Sequence, residues 1–136
     1  MAGTMVNPVA FIVEDDLDIA NFLAEALRGA GFDVEISADG RRALTRLTEI
    51  APDVIVLDLN LPHVSGEEIL RYIRADERLR RIRVILTTGE AQQAEIVKDA
   101  VDLVLLKPID FTQLRDLSLR IRSLVLRDNV PPAADL

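Results

Sequence analysis

The sequence predicts an α/β fold, in which a doubly wound parallel sheet of five strands is covered by five helices. Five short apolar runs recur along the chain, and each is followed by a longer segment with apolar residues on one helical face. Continuous apolar runs are typical of strands buried on both faces. Alternation of such strands with amphipathic helices produces a parallel sheet between two helical layers. The length of 136 residues fits one domain.

The boundaries of the elements follow from apolar runs and from cap residues. The predicted strands cover residues 9–13, 33–36, 54–57, 84–86 and 103–106. Asp16 and Asp18 are candidate N-caps of a first helix that continues to about residue 30, where Gly31 stops it. Further helices are predicted from 39 to before 52, from about 66, over about 91–100 and over about 110–127. The last helix is expected to bury Leu114, Leu117, Ile121 and Leu124.

Composition excludes several classes of function. A net charge of −7, from 16 basic and 23 acidic residues, argues against direct binding of nucleic acid. The absence of cysteine excludes disulfides, zinc–thiolate sites and thiol nucleophiles. No segment resembles a signal peptide or a membrane span, so we expect a cytoplasmic protein without a membrane partner. One domain is expected over residues 8–127, with an N-terminal extension at 1–7 and a C-terminal tail at 128–136.

The residues that follow the predicted strands are the candidates for chemistry, because ligands of such sheets bind beyond the carboxyl ends of the strands. They are Glu14, Asp15 and Asp16, then Asp58, then Thr87 and Thr88, and finally Lys107. Two carboxylates about 4 Å apart repel by about 4 kcal/mol at an effective dielectric constant of about 20. A hard divalent cation relieves that repulsion, and oxygen ligands suit Mg²⁺. Asp15 and Asp58 are therefore candidate Mg²⁺ ligands.

Each of these residues alone also has a purely structural explanation. The acidic residues 14–16 could cap a helix, and Asp58 could end a strand in a turn. Lys107 could be solvated, although its place after a buried strand favours an anionic partner. Thr87 could be an ordinary β-branched strand residue. Only their combination at one sheet edge favours a site.

Taken together, these residues resemble the receiver domain of two-component response regulators. The matching segments are residues 14–16, residues 54–62 around Asp58, Gly66, Thr87 with Thr88, and Leu106-Lys107-Pro108. The match extends over about residues 7–127, in order. The resemblance implies a flavodoxin-like fold with strand order 2-1-3-4-5. It also implies a bacterial signalling phosphoacceptor of the stand-alone, chemotaxis-regulator-like kind, which catalyses only its own Mg²⁺-dependent phosphorylation and dephosphorylation.

The resemblance implies a role for each residue of the site. Asp58 accepts the phosphoryl group, Thr87 donates a hydrogen bond to it, and Lys107 pairs with it. Mg²⁺ is bound by Asp15, by Asp58 and by the main-chain carbonyl of Asn60, while Glu14 acts on the metal indirectly. Further positions that the resemblance implies are Asn60, Thr88 and Gly89, which tune access to the site, and a cis peptide bond between Lys107 and Pro108.

The implied partners are proteins. The phosphoryl donor is a sensor histidine kinase or a histidine phosphotransfer protein, and the phosphorylated form acts on a downstream protein target. Two alternatives remain open: a receiver-like scaffold that works without phosphate, and a receiver domain excised from a longer regulator. An aspartyl-phosphate hydrolase would be expected to have a second Asp where this chain has Asn60, and a flavin-binding domain has less support still.

The sequence departs from the family pattern in two places. Val104 lies where the family usually has Tyr or Phe, three residues before the conserved Lys, so the usual rotation of an aromatic ring cannot occur. The stretch between Thr87 and Lys107 is shorter than usual. We therefore expect a shortened or irregular fourth helix and an unusual route from phosphorylation to output.

Three other features admit two interpretations. His63 is interpreted as an exposed loop residue and not as a relay histidine. A basic stretch is interpreted as a solvated face, with an acidic partner as the alternative; its members are Arg71, Arg74, Arg78, Arg80, Arg81 and Arg83. Leu119 and Leu126 lie seven residues apart on the last helix, and they are either isolated exposed leucines or part of a homodimer or partner surface.

Overall fold

A computed structural model describes residues 6–128 of the chain and shows one parallel sheet. Its strands are β1 (Val9–Val13), β2 (Asp33–Ser37), β3 (Val54–Asp58), β4 (Arg83–Thr88) and β5 (Leu103–Leu106). The order across the sheet is β2-β1-β3-β4-β5, and every neighbouring pair is parallel. The predicted fold class and strand order are confirmed.

Helices connect the strands and cover both faces of the sheet. They are α1 (Leu17–Gly29), α2 (Gly40–Leu47), α3 (Gly66–Ala75), α4 (Ala91–Val97) and α5 (Phe111–Asp128). Asp16, rather than Asp18, is the N-cap of α1, because its carboxylate accepts hydrogen bonds from the amides of Asp18 and Ile19. In the part of the chain that the structure describes, no helix has the length and apolarity needed to cross a membrane.

Alternate strand residues supply two separate hydrophobic layers. Ala10 and Ile12 of β1 face α1 and α5, whereas Phe11 and Val13 face α2, α3 and α4. Strand β3 is buried along its whole length. This two-sided burial holds the carboxyl ends of β1 and β3 side by side, which is the requirement for a site built from their last residues.

The buried face of α5 differs from the predicted one. Its fully buried residues are Leu114, Ser118, Ile121 and Val125. Leu117 is partly buried and packs against the core, as predicted, but Leu124 is 38% exposed, so the predicted stripe is wrong at that position. Ser118 can be buried because its hydroxyl donates a hydrogen bond to the carbonyl of Leu114 at 2.7 Å. The apolar pattern favoured leucines and could not reveal a serine that satisfies itself.

The fourth helix is short, as the sequence predicted. Helix α4 has seven residues and continues into a 3₁₀ turn at Lys98–Ala100. Glu90 at its N-cap makes no side-chain capping hydrogen bond, and Ala94 is its only buried residue. Ile96 is 79% exposed. Helix α4 is therefore the least firmly attached helix of the sheet's two layers.

The basic stretch is not a uniformly solvated face, so that interpretation is wrong in part. Arg74 donates hydrogen bonds to the carbonyls of Ala100, Arg80 and Ile82 at 2.8, 2.8 and 2.9 Å. Arg78 donates to the carbonyls of Leu47 and Ile50, at the end of α2. Carbonyls at the ends of helices and strands lack partners within their own element, and these arginines supply them.

Arg83 joins β4 to two other elements. Its guanidinium lies 2.8 Å from Asp128 of α5 and 3.6 Å from Asp102, just before β5. Asp128 was assigned to the predicted tail, but it is the last residue of α5. The rest of that tail, and residues 1–5 of the predicted extension, lie outside the described residues, so the domain boundaries stay a prediction.

We predict that Gly66→Ala destabilises the fold. A Cβ at residue 66 would lie against the main-chain oxygen of Asp58 and 2.7 Å from the Cα of Leu59. Such overpacking against backbone typically costs about 1–3 kcal/mol. Gly29→Ala is the matched control, because a Cβ there meets nothing within 4 Å, and we expect it to be neutral or stabilising by about 0.5–1 kcal/mol. Equal urea midpoints for the two variants would contradict the prediction.

Candidate functional site

Three carboxylates lie together beyond the carboxyl ends of β1 and β3. Glu14, Asp15 and Asp58 offer oxygen atoms that all lie within 4.8 Å of one another. Glu14 and Asp58 are buried, at 1% and 4% exposure, whereas Asp15 is exposed. A cluster of oxygen ligands with one open side fits Mg²⁺, which retains several waters. The structure therefore brings together the carboxylates that the sequence predicted as metal-binding residues.

Main-chain hydrogen bonds fix the positions of these carboxylates. The amide of Glu14 donates to the carbonyl of Ser37 at 3.1 Å, which extends the β1–β2 ladder by one residue. Asp58 pairs in register with Thr87, and its Oδ1 accepts a hydrogen bond from the amide of Asn60 at 3.1 Å. The acidic groups are thus attached to the rigid sheet rather than to a free loop. Coordination by the main-chain carbonyl of Asn60 stays a prediction.

Lys107 supplies the positive charge of the site. Its Nζ lies 2.8 Å from Oε1 of Glu14 and 3.4 Å from Oδ2 of Asp58. The amide of Lys107 donates to the carbonyl of Thr88 at 2.8 Å, and the peptide bond to Pro108 is cis. The anionic partner predicted for this lysine is therefore present, and it consists of two carboxylates.

The pKa values of Glu14 and Lys107 are both raised, but for different reasons. Burial raises the pKa of Glu14 above its ordinary value, the hydrogen bond from Lys107 opposes this, and the charge of Asp58 adds to it. For Lys107, burial lowers the pKa, but the hydrogen bond to Glu14 and the negative charges of both carboxylates outweigh it, so the pKa is raised. The difference arises because Glu14 is almost completely desolvated, whereas Lys107 is partly exposed and faces two anions.

Thr87 has a buried hydroxyl that nothing in residues 6–128 satisfies. Its side chain is fully buried, and its Oγ1 has no hydrogen-bond partner among the described residues. Leaving a buried polar group without a partner costs about 1–3 kcal/mol. Thr87 lies beside Asp58 across the β3–β4 ladder. The hydroxyl is therefore suited to donate a hydrogen bond to a group attached to Asp58.

The predicted tuning residues lie at different depths. Asn60 and Gly89 are exposed at the rim of the site, so both can affect the approach of water. Thr88 is buried, and its hydroxyl accepts a hydrogen bond from the amide of Glu90 at 3.1 Å. Thr88 therefore influences the loop before α4 rather than the rim. The tuning roles themselves stay predictions.

Val104 occupies the position where the family usually has an aromatic ring. It is half-buried, pairs in register with Leu86, and packs against the layer formed by α2, α3 and α4. Leu106, two residues later on the same face of β5, is 51% exposed. The side chain at this position is thus too small to swing between a buried and an exposed arrangement as a ring does.

Sequence reasoning missed two features near the site. His63 is exposed, as expected, but it has φ 68, a left-handed conformation that non-glycine residues seldom adopt and that no residue pattern announced. A mostly apolar cavity of about 570 Å³ lies beside Lys107; its lining residues are Asp18, Ile19, Phe22, Lys107, Pro108 and Ile109. Phe22 of this cavity makes an edge-to-face contact with Phe111, which depends on tertiary packing and leaves no signal in the sequence.

We predict that Asp15→Asn abolishes stabilisation by Mg²⁺ while leaving the metal-free protein almost unchanged. Asp15 is exposed, so its neutralisation should alter the free energy of unfolding by less than about 0.5 kcal/mol. Mg²⁺ at about a hundred times its Kd should stabilise the unmodified chain by about 2.7 kcal/mol. Thermal unfolding with and without Mg²⁺ measures both quantities, and Asp116→Asn, an exposed change on α5, is the control. A full Mg²⁺ effect in Asp15→Asn would remove Asp15 from the ligand set.

Comparison with known proteins agrees with this geometry. Residues 10–118 match the family model of the response regulator receiver domain. The chain is 32% identical over 125 residues to the DNA-binding response regulator MtrA of Mycolicibacterium paratuberculosis, covering 90% of this chain and 53% of that protein. The chain spans about half the length of such curated relatives.

Solved structures of similar fold include small receivers. The chemotaxis response regulator CheY4 of Vibrio cholerae is 26% identical with a TM-score of 0.78, covering 85% of this chain and 99% of that one. The receiver domain of sensor histidine kinase PA1611 from Pseudomonas aeruginosa, solved with magnesium in its active-site cleft, is 27% identical with a TM-score of 0.76, covering 87% and 99%. The match over most of its length shows that this chain belongs to the response regulator receiver domain family.

Proposed function

We propose that Asp58 accepts a phosphoryl group in a Mg²⁺-dependent reaction and that this modification switches contacts with other proteins. The observation on which the proposal rests is the cluster of three carboxylates at the sheet edge, two of which, Glu14 and Asp58, also contact Lys107. Such an arrangement is unfavourable for stability alone, because buried like charges repel. It is favourable for phosphoryl transfer, which depends on positioning and charge stabilisation.

The transfer step uses residues already in place. A carboxylate oxygen of Asp58 attacks phosphorus, the phosphorus–nitrogen bond of a donor phosphohistidine breaks, and the electron pair returns to the imidazole nitrogen, which takes up a proton. Lys107, now 3.4 Å from Asp58, is placed to pair with a phosphoryl oxygen. The unsatisfied hydroxyl of Thr87 donates to another. Bound Mg²⁺ would stabilise the remaining charge on the phosphoryl oxygens.

The donor in this proposal is a sensor histidine kinase or a histidine phosphotransfer protein. The cavity beside Lys107 supports a protein donor, because Ile19, Phe22 and Ile109 form an apolar surface next to the acceptor site. Exposed apolar surface of this kind is typical of protein contacts. We place the reaction in the cytoplasm, and later hydrolysis of the acyl phosphate uses water that enters at the rim near Asn60 and Gly89.

The output in this proposal is a change of protein contacts, without direct binding of nucleic acid by these residues. MtrA and several other relatives are DNA-binding regulators, and this chain matches only about half of their length. The same domain could therefore act alone or as the receiver of a longer regulator. A scaffold that works without phosphate remains the alternative, and only the missing aromatic ring at Val104 and the short segment between Thr87 and Lys107 favour it.

We predict that acetyl phosphate with Mg²⁺ adds one phosphoryl group to the chain and none to Asp58→Asn. Intact mass spectrometry detects the added mass of the phosphoryl group directly. Asp116→Asn is the matched control and should be modified like the unchanged protein, because Asp116 is exposed on α5, away from the site. Modification of both Asp58→Asn and the unchanged chain would place the acceptor elsewhere, and modification of neither would support the scaffold.

We predict that beryllofluoride, which mimics the phosphoryl group, produces only small amide shifts in α4 and β5. The reason is that Val104 lacks a ring to relocate, so changes should concentrate in the loop after Thr87. Large shifts throughout α4 and β5 would contradict this prediction.

Light scattering of the same samples tests whether α5 forms a homodimer through Leu119 and Leu126. The structure gives this surface mixed support, because Leu119 is 47% exposed but Leu126 is half-buried. A protein that stays monomeric with and without beryllofluoride would contradict the homodimer.

A further inference from the structure

A second cavity lies at the opposite edge of the sheet from Asp58. It has a volume of about 540 Å³, within the range of about 300–1,000 Å³ that is usual for small-molecule sites. Asp53, immediately before β3, lines the cavity, whereas Asp58 ends that strand. Five residues of extended chain span about 16 Å, so the two sites are separate.

The cavity is strongly basic in a protein that is acidic overall. Five arginines line it, and they are Arg74, Arg78, Arg80, Arg81 and Arg83. Three aspartates also line it, so two positive charges remain uncompensated among the lining residues; these aspartates are Asp53, Asp102 and Asp128. The net charge of the whole chain is −7. The local excess of positive charge is therefore opposite to the overall composition.

The guanidinium groups differ in how they are held. Arg74 and Arg78 donate mainly to main-chain carbonyls, which fixes their orientation without neutralising their charge. Within residues 6–128, the side chains of Arg80 and Arg81 have no hydrogen-bond or ion-pair partner, and both are exposed. The site thus combines two oriented charges with two that are free to close on a ligand.

We propose that this cavity binds a small organic phosphate. Guanidinium groups match phosphate oxygens in pairs, and a phosphate monoester carries close to the two negative charges that the cavity lacks. An organic part fits beside the phosphate because the cavity is much larger than one phosphate and has an apolar wall formed by Pro52, Ile82 and Val125. The concave shape favours a small molecule over the acidic protein surface that the basic stretch alone would suggest.

The test is an amide NMR titration of the full chain without Mg²⁺, using adenosine 5′-monophosphate, adenosine and inorganic pyrophosphate as probes. Adenosine monophosphate and pyrophosphate should cause saturable shifts at Ala51, Asp53 and Ile82, whereas adenosine should cause none. The double variant Arg80→Gln/Arg81→Gln should weaken binding of the monophosphate at least about tenfold. Each substitution removes a charged guanidinium group that would donate hydrogen bonds to the phosphate oxygens. The charge-matched control Arg71→Gln/Arg120→Gln changes exposed arginines outside the cavity and should stay within about twofold.

Several outcomes would overturn the proposal. Equal weakening by the two double variants would show non-specific attraction by charge. Shifts confined to the surroundings of Asp58 and Lys107 would place the anion in the acceptor site. Binding of pyrophosphate alone would exclude an organic ligand, and no saturable shift with either phosphate at about 10 mM would exclude a phosphate site and favour the acidic protein partner.

Discussion

The contact on which the proposed function depends is the ion cluster of Lys107 with Glu14 and Asp58. It connects the ends of β5, β1 and β3, which are not all neighbours in the sheet. Without Lys107, two nearly buried carboxylates would face each other with no positive charge between them. The cluster does not stabilise the fold by itself, because desolvation and repulsion oppose its attractions. The two apolar layers of the sheet hold these groups in place, so hydrophobic burial maintains a repulsion between carboxylates that a bound Mg²⁺ would relieve.

One physical feature of buried parallel strands made both the sheet and the site residues at its edge predictable from the sequence. A buried parallel strand is an unbroken apolar run, so the first polar residue after it marks the edge, and Asp58 and Lys107 were recognisable in this way. The errors share another reason. Ser118 is buried because it satisfies its own hydroxyl, and Arg74 is ordered because it reaches carbonyls distant in sequence. Hydrogen bonds to the main chain leave no periodic signature, so the buried face of α5 and the ordered arginines required the structure.

The two edges of the sheet differ in how firmly they are held. At the amino ends of β4 and β5, Arg74, Arg83 and Asp102 join several elements, and Asp102 also accepts a hydrogen bond from the amide of Val84 at 2.7 Å. At the carboxyl ends, the loop after Thr88 leads into an uncapped helix with one buried residue. The part of the protein that can move most easily is therefore next to the carboxylate of Asp58, while the opposite edge stays fixed.

This difference bears on how a signal could leave the site without an aromatic ring at Val104. A new hydrogen bond from the Thr87 hydroxyl to a phosphoryl oxygen involves a charged acceptor and contributes about 1.5–3 kcal/mol. Such a difference shifts a two-state equilibrium by roughly ten- to a hundredfold, which is too little to repack a buried layer but enough to move a weakly attached one. Helix α4 buries only Ala94 and is joined to Thr87 by a three-residue connection, residues 88–90. The displacement that phosphorylation would drive is therefore mainly a shift of that connection, with only a small adjustment of α4 and with Val104 remaining in its packed position.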